Sequence, residues 1–103
     1  MSRGPDAATL LRRAIERSAD AAGVTVALGE IASTPWASAT FTGARHALDL
    51  SATGPGAGDW LAGLMEADLP MRGHLCADLA IVRAAVGDGA VTASVEALTV
   101  EER

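Results

Sequence analysis

WASATFTGARHALDL, residues 36 to 50, is the longest run of this 103-residue chain with the two-residue alternation of a β-strand. One set of alternate residues is Ala37, Ala39 and Phe41, and a second set is His46, Leu48 and Leu50. The second set is out of step with the first by one residue. The two halves can share a face only if one residue between them is looped out.

We predict that this irregularity is a β-bulge at Gly43, because a glycine inside a strand often marks a bulge. The bulge would return Phe41, Leu48 and Leu50 to one buried face. The alternative is two short strands joined by a turn at residues 42 to 44.

Two helices are predicted from capping residues and spacing. Asp6 is a good N-cap for a helix to about Ala22, and Gly23 is placed to end it. Asp59 can cap a shorter helix that ends before Pro70, since proline disfavours helix at the residue before it. The apolar residues of this second helix are Trp60, Leu61, Leu64 and Met65.

Three further strands are predicted at residues 24 to 31, 74 to 82 and 91 to 100, with a turn at 33 to 35. Gly87, Asp88 and Gly89 favour a tight hairpin between the last two strands. Residues 51 to 58, SATGPGAG, are expected to form a flexible loop that becomes ordered only in an assembly.

The predicted fold is α+β, in the order αββαββ. It is a mainly antiparallel four-stranded sheet with two helices packed on one face, and residues 1–103 form a single domain. Although 50% of the residues are apolar, 23 are alanines, with one Phe, two Trp and no Tyr. Such a thin core gains from burial against copies of itself or a partner.

The charge pattern excludes some classes of function. The net charge is -5, the basic residues are eight arginines without lysine, and they form no cluster beyond Arg12 and Arg13. We therefore expect no sequence-specific grip on nucleic acid. One cysteine, Cys76, excludes an internal disulfide framework, and no segment has the length or pattern of a membrane span or signal peptide. A soluble protein that begins in the cytoplasm is expected.

One set of side chains has the chemistry of a zinc site. His74, Cys76 and Asp78 alternate along one predicted strand, and His46 and Glu96 are available from others. Alternate residues of one strand lie about 7 Å apart, so the spacing is a weak signal. We predict no metal at these residues.

Two other patterns in the sequence have chemical interpretations. Cys76 could act as a nucleophile with His74 or His46 as base, but a position inside a strand does not stabilise a thiolate. Gly54, Gly56 and Gly58 precede a helix but lack the lysine of a phosphate-binding loop, which favours a linker. We therefore predict no catalytic, cofactor-binding or metal-binding residue, and no enzyme activity.

Four segments follow one another along the chain: LGE at 28–30, TGARHALDL at 42–50, LPMRGH at 69–74 and EALTVE at 96–101. With the capped N-terminal helix and Trp36, they resemble the small tail-completion, or tail terminator, proteins of tailed phages and gene transfer agents. The resemblance runs over most of the chain from Val24 onward. Its motifs are scaffold features, so it implies no catalytic or binding residue.

The resemblance implies a structural protein of a phage-like particle that forms a ring, typically of six copies. The ring would cap the tail tube and join it to the head connector. The implied partners are copies of itself, the tail tube protein and the head connector or stopper protein. The location would be the cytoplasm during assembly and then the particle.

Two other classes of function stay open. One is a small ligand-binding or enzymatic α+β domain that uses the open sheet face around His46 and His74. The other is a dimeric regulatory module.

Overall fold

The computed structural model describes residues 6–102, which form a five-stranded sheet with two helices on one face. The elements are α1 Ala7–Ala21, β1 Thr25–Leu28, β2 Ala32–Ala37, β3 Thr42–Thr53, α2 Ala57–Gly63, a 3₁₀ helix Leu64–Glu66, β4 His74–Gly87 and β5 Ala90–Glu101. All strand pairs are antiparallel. The α+β prediction is confirmed, with five strands instead of four. The turn predicted at residues 33 to 35 is wrong, because these residues lie in a separate strand, β2, that pairs with β3.

The caps of α1 are those that the sequence predicts. The Asp6 side chain accepts a hydrogen bond from the Thr9 amide at 2.9 Å, which satisfies one of the free amides of the first turn. After the helix, Gly23 has a φ of 72°, a conformation that a side chain disfavours. The Trp60 indole of α2 donates to Ser18 Oγ of α1 at 3.0 Å and ties the two helices together.

β3 is the central strand of the sheet. β5 pairs with it along its whole length on one side and carries β4 on its own outer side. On the other side of β3, β1 and β2 share one edge, which we call the β1–β2 edge. Between β1 and β2 the three residues 29–31 face only Leu48 and Asp49, so one edge strand is interrupted by an extra residue.

The prediction of one long strand with a bulge at Gly43 is wrong. β2 ends at Ala37, and a turn closed by Ser38 follows: its amide donates to the Phe41 carbonyl at 2.8 Å, and its hydroxyl accepts from the Phe41 amide at 3.1 Å. Phe41 is 51% exposed, whereas Leu48 is buried. The two therefore share no buried face, and β3 pairs through Gly43 without a register shift.

Gly43 is required for a different reason. A Cβ atom at this position would overlap the carbonyl oxygen of Thr99 on β5 and would lie 2.9 Å from the ring of Trp36 on β2. The glycine thus allows close approach of its two neighbouring strands. The register shifts lie elsewhere in the sheet, in β4, where Ala77 and Val82 are the extra residues.

The predicted loop at residues 51 to 58 is also wrong in its extent. β3 continues through Ala52, which is fully buried, to Thr53. Only residues 54–56 connect it to α2, and Gly56 with φ 82° occupies the N-cap position that Asp59 was predicted to hold. Glycines at positive φ allow this short reversal because they carry no Cβ.

The second helical region differs in detail from the prediction. Trp60, Leu61 and Leu64 are buried as expected, but Met65 is 51% exposed. Residues 64–66 form a 3₁₀ helix, whose three-residue turn rotates Met65 away from the α-helical stripe.

The closing hairpin is confirmed and is longer than predicted. Asp88 and Gly89 have φ values of 49° and 76°, as a two-residue type I′ turn requires. The core lies between the sheet and the helices, and its larger members include Leu11, Ile15, Leu48, Leu61, Leu64 and Val95. Within residues 6–102, none of the helices combines the length and apolar character that crossing a membrane demands.

Candidate functional site

The sheet face opposite the helices carries exposed and half-exposed side chains, and we call it the open face. Its centre consists of two rows across β3, β5 and β4, namely Ala47, Glu96 and Ala80, then Asp49, Ser94 and Arg83. All six are at least partly exposed. The sequence shows their alternation with buried neighbours, such as Leu48 and Val95, but gives no sign of what the outward side chains contact.

Small side chains make this face uneven. An open depression of about 460 Å³ is lined by Ser51, Arg83 and Ser94 among others, and a second of about 280 Å³ by Arg45 and Glu96. Ser94 Oγ donates to Asp49 Oδ1 at 2.7 Å. The hydrogen bond orients a carboxylate at the centre of the face.

Charges of both signs share the open face. Arg45 on β3 is level with Asp78 on β4, with Leu98 of β5 between them, and Arg83 is level with Asp49. A surface of alternating sign is complementary to another mixed surface, including a copy of itself. It lacks the single-sign field that binds a polyanion.

His46 lies on the helix-covered face, not on the open face. It is 2% exposed. Its Nδ1 lies 2.7 Å from Ser33 Oγ on β2, and its Nε2 lies 2.9 Å from Thr99 Oγ1 on β5. Thr99 Oγ1 in turn donates to the Ala44 carbonyl at 3.4 Å. The placement of His46 on an open sheet face was therefore wrong.

The hydrogen bonds of His46 define its protonation. Because Thr99 Oγ1 donates to a carbonyl, it accepts from Nε2–H, which leaves Nδ1 to accept from the Ser33 hydroxyl. Burial lowers the pKa of His46 by disfavouring the charged ring, and the Asp6 carboxylate opposes this. The neutral imidazole is thus a cross-link between β2 and β5.

Ser33 and His46 have the contact distance of a nucleophile and its base. Ser33 is exposed, yet it lines neither of the two depressions on the open face. The second imidazole nitrogen meets the hydroxyl of Thr99, not a carboxylate. The arrangement gives both ring nitrogens of the buried His46 a hydrogen-bond partner. Sequence reasoning missed it because Ser33, His46 and Thr99 are distant in the chain.

The residues weighed for zinc are divided between the two faces of the sheet. Cys76 lies opposite buried Thr99, but Asp78 lies opposite Leu98, because the extra residue Ala77 reverses the alternation. Glu96 is on the open face with Asp78, whereas His46 is on the helix side. Within residues 6–102 no three His, Cys, Asp or Glu side chains converge on a metal position.

Cys76 is a half-buried thiol with a raised pKa. Desolvation is the main cause of the raised pKa; the hydrogen bond to the Asp78 backbone opposes it, and the Asp78 carboxylate adds to it. Its Sγ lies 3.6 Å from the Asp78 carbonyl oxygen. A raised pKa reduces the thiolate fraction that a nucleophile needs.

The carbonyl groups of the glycine segment accept hydrogen bonds from amides that follow it in the chain. The Ala57 amide donates to the Gly54 carbonyl at 3.2 Å and the Trp60 amide to the Gly56 carbonyl at 2.8 Å. Gly58 lies inside α2, which has only seven residues. Only residues 54–56 form a turn outside β3 and α2, so the predicted linker is wrong in its extent.

A depression of about 520 Å³ lies on the helix side, beside the connection that leads into β4. Arg17 of α1, Arg72 and His74 line it together with Asp68. His74 Nδ1 lies 3.3 Å from the Arg72 carbonyl oxygen. Two arginines from distant parts of an acidic chain thus line the same depression.

The chain gave no match to any protein-family model, curated protein or solved structure with which it was compared.

Proposed function

We propose that the chain is a structural subunit that assembles with copies of itself through the open face. The observation that carries this proposal is a sheet covered by helices on one side only. The uncovered side presents small side chains and charges of both signs around Ala47 and Ser94. This role requires no catalytic residue and no cofactor.

The size of the open face is consistent with a cooperative assembly. Four strands about 4.8 Å apart and about eleven steps of 3.3 Å along β3 give a flat area on the order of 500 Å². A stable pairwise interface buries about 800 Å² per partner. A single contact through this face is therefore weak, and several contacts in a closed ring would stabilise one another.

Within this class, we propose the role of tail terminator or tail-completion protein of a phage-like particle. The sequence segments that resemble that family support it. The proposed ring has about six copies by that resemblance. Its partners would be the tail tube protein and the head connector or stopper protein, and it would form in the cytoplasm before joining the particle.

Substitution at the centre of the open face tests the assembly. Ala47→Arg adds a long cation to an exposed position, while Ala21→Arg adds the same side chain to the exposed end of α1. We expect the wild type and Ala21→Arg to form a larger species by light scattering, alone at high concentration or with tail tube protein. Ala47→Arg should not form this larger species, and equal masses for all three would contradict the proposal.

A second candidate function is suggested by the depression that Arg17, Arg72 and His74 line. Guanidinium groups bind carboxylate and phosphate oxygens well. Titration calorimetry with inorganic phosphate and with succinate would test it against Arg72→Gln. Heat that is absent from the variant would favour a ligand-binding domain, and no heat with either anion would remove this candidate.

A further inference from the structure

The outer edge of β4 carries an unusual share of exposed apolar side chains. Among the described residues, five large hydrophobic side chains are exposed, and three of them lie on β4: Leu75 at 55%, Val82 at 59% and Val86 at 83%. β4 pairs with β5 on one side. Its other side is a row of backbone donors and acceptors at the edge of the sheet, which is a template for another strand.

The last part of β4 is the regular part of this edge. Extra residues at Ala77 and Val82 interrupt the earlier part, and such bulges hinder pairing with another chain. From Arg83 to Gly87 the strand follows β5 without a register shift, and all five residues are exposed. We call residues 83–87 the edge segment.

We propose that the edge segments of two copies of this chain pair antiparallel about a two-fold axis at Ala85. Ala85 of one copy would face Ala85 of the other, and Ala84 would face Val86 twice. The two five-stranded sheets would become one continuous sheet. This contact is separate from the open face.

The side-chain directions are consistent with this register. Ala84 and Val86 lie opposite Ala93 and Val91 of β5, on the helix side, whereas Ala85 lies opposite Thr92 on the open face. A two-fold axis perpendicular to the sheet keeps each side chain on its own side. The pairing therefore covers the most exposed valine of the chain with an alanine methyl group.

Charge complementarity favours the same register. Arg83 of one copy would face Gly87 of the other, next to Asp88 in the hairpin turn. The symmetry produces this Arg83 and Asp88 contact twice. A shift of the axis toward the start of β4 would bring the extra residue Val82 into the ladder and interrupt it.

Cross-linking tests the register directly. In a Cys76→Ser background, which removes the single cysteine, Ala85→Cys places two thiols opposite each other across the axis. The control Ala84→Cys places them about 7 Å apart, beyond the reach of a disulfide. Under mild oxidation at high protein concentration we expect about tenfold more covalent dimer from Ala85→Cys. No dimer, or equal yields from the two variants, would overturn the proposal.

A charge substitution gives an independent measurement. Val86→Lys places two cations beside the pairing, whereas Val82→Lys adds the same charge to the same strand outside the edge segment. We expect Val86→Lys to abolish the Ala85→Cys cross-link and Val82→Lys to retain it. Cross-linking that is unchanged by Val86→Lys would count against the edge segment.

The same assay separates this contact from the proposed function. Ala47→Arg should remove the larger species but leave the Ala85→Cys cross-link intact. If the cross-link forms while Ala47→Arg has no effect on mass, the edge pairing stands and the open-face assembly fails. If the larger species forms without the cross-link, the reverse holds.

Discussion

The β1–β2 edge is interrupted and capped, whereas the β4 edge runs for 14 residues and its last six are all exposed. At the β1–β2 edge, Arg12 of α1 donates from Nη2 to the Gly29 carbonyl at 2.6 Å and from Nη1 to the Leu28 carbonyl at 3.3 Å. Pro35 in β2 adds a residue without an amide donor. The end of β4 has no proline, and none of the side-chain hydrogen bonds described for the β1–β2 edge.

The two free edges of the sheet differ in how well they are protected against pairing with another strand. The β1–β2 edge uses a helix side chain, an extra residue and a proline, all of which hinder pairing with another strand. β4 has two bulges early and none after Val82. One edge is therefore closed to neighbours, and one end of the other remains available.

The largest expected effect is at the strand next to the protected edge. Gly43→Ala would force the new Cβ against the Thr99 carbonyl and the Trp36 ring, so we expect a loss of about 2–3 kcal/mol in the free energy of unfolding. Urea denaturation measures it. The control is Gly63→Ala in α2, where nothing lies within 4 Å, and which should gain about 0.5–1 kcal/mol. A neutral Gly43→Ala would disprove the close-approach role.

Local signals made part of this fold predictable. Asp6 and Gly23 cap α1 through contacts within a few residues, and the Asp88 and Gly89 turn depends on its own backbone. The alternation from Val91 onward follows from burial of one strand face. Such features need no knowledge of the rest of the chain.

Long-range contacts explain what could not be predicted. Gly43 is a close-approach site only because Thr99 lies beside it, and His46 is buried because Ser33 and Thr99 satisfy it. The extra residue Ala77 places Cys76 and Asp78, two candidate zinc ligands, on opposite faces of the sheet. An alanine gives no sign in the sequence that a bulge occurs there. The open face depends on which side the helices cover.

Removal of the Arg12 cap from the β1–β2 edge should have the next largest effect on stability. Arg12→Met keeps much of the aliphatic stem but removes both donors to the carbonyls of residues 28 and 29. We expect a loss of about 1–2 kcal/mol, since hydrogen bonds from a charged donor are worth more than neutral ones. Arg13→Met, on an exposed position of the same helix, is the matched control. Equal losses from both would show that the cap contributes nothing.

A smaller effect is expected from pH, through the imidazole that ties β2 to β5. Because burial lowers the pKa of His46 in the folded protein, the unfolded chain binds the proton more readily. The contribution of neutral His46 to stability is therefore fully present above about pH 6.5, the ordinary pKa of histidine. It is lost as the pH drops toward the lower pKa of His46 in the folded protein. Urea midpoints between pH 8 and 5 measure this. The urea midpoint should depend less on pH in His46→Gln than in the wild type. The same pH dependence in both proteins would contradict the lowered pKa of His46.

The smallest effect on stability, and the most informative about the edges, is expected from Pro35→Val. Pro35 lies opposite Ala44 on an exposed edge strand, where a proline nitrogen is tolerated because no sheet partner needs its proton. Valine would restore a donor and raise strand propensity, with a change in unfolding free energy within about 1 kcal/mol. We expect self-association of the variant to increase by light scattering, because the β1–β2 edge would lose one of its protections. Pro70→Val removes another exposed proline outside the strands and should leave association unchanged. If Pro35→Val associates no more than the wild type, the extra residue and Arg12 are sufficient to close this edge without the proline.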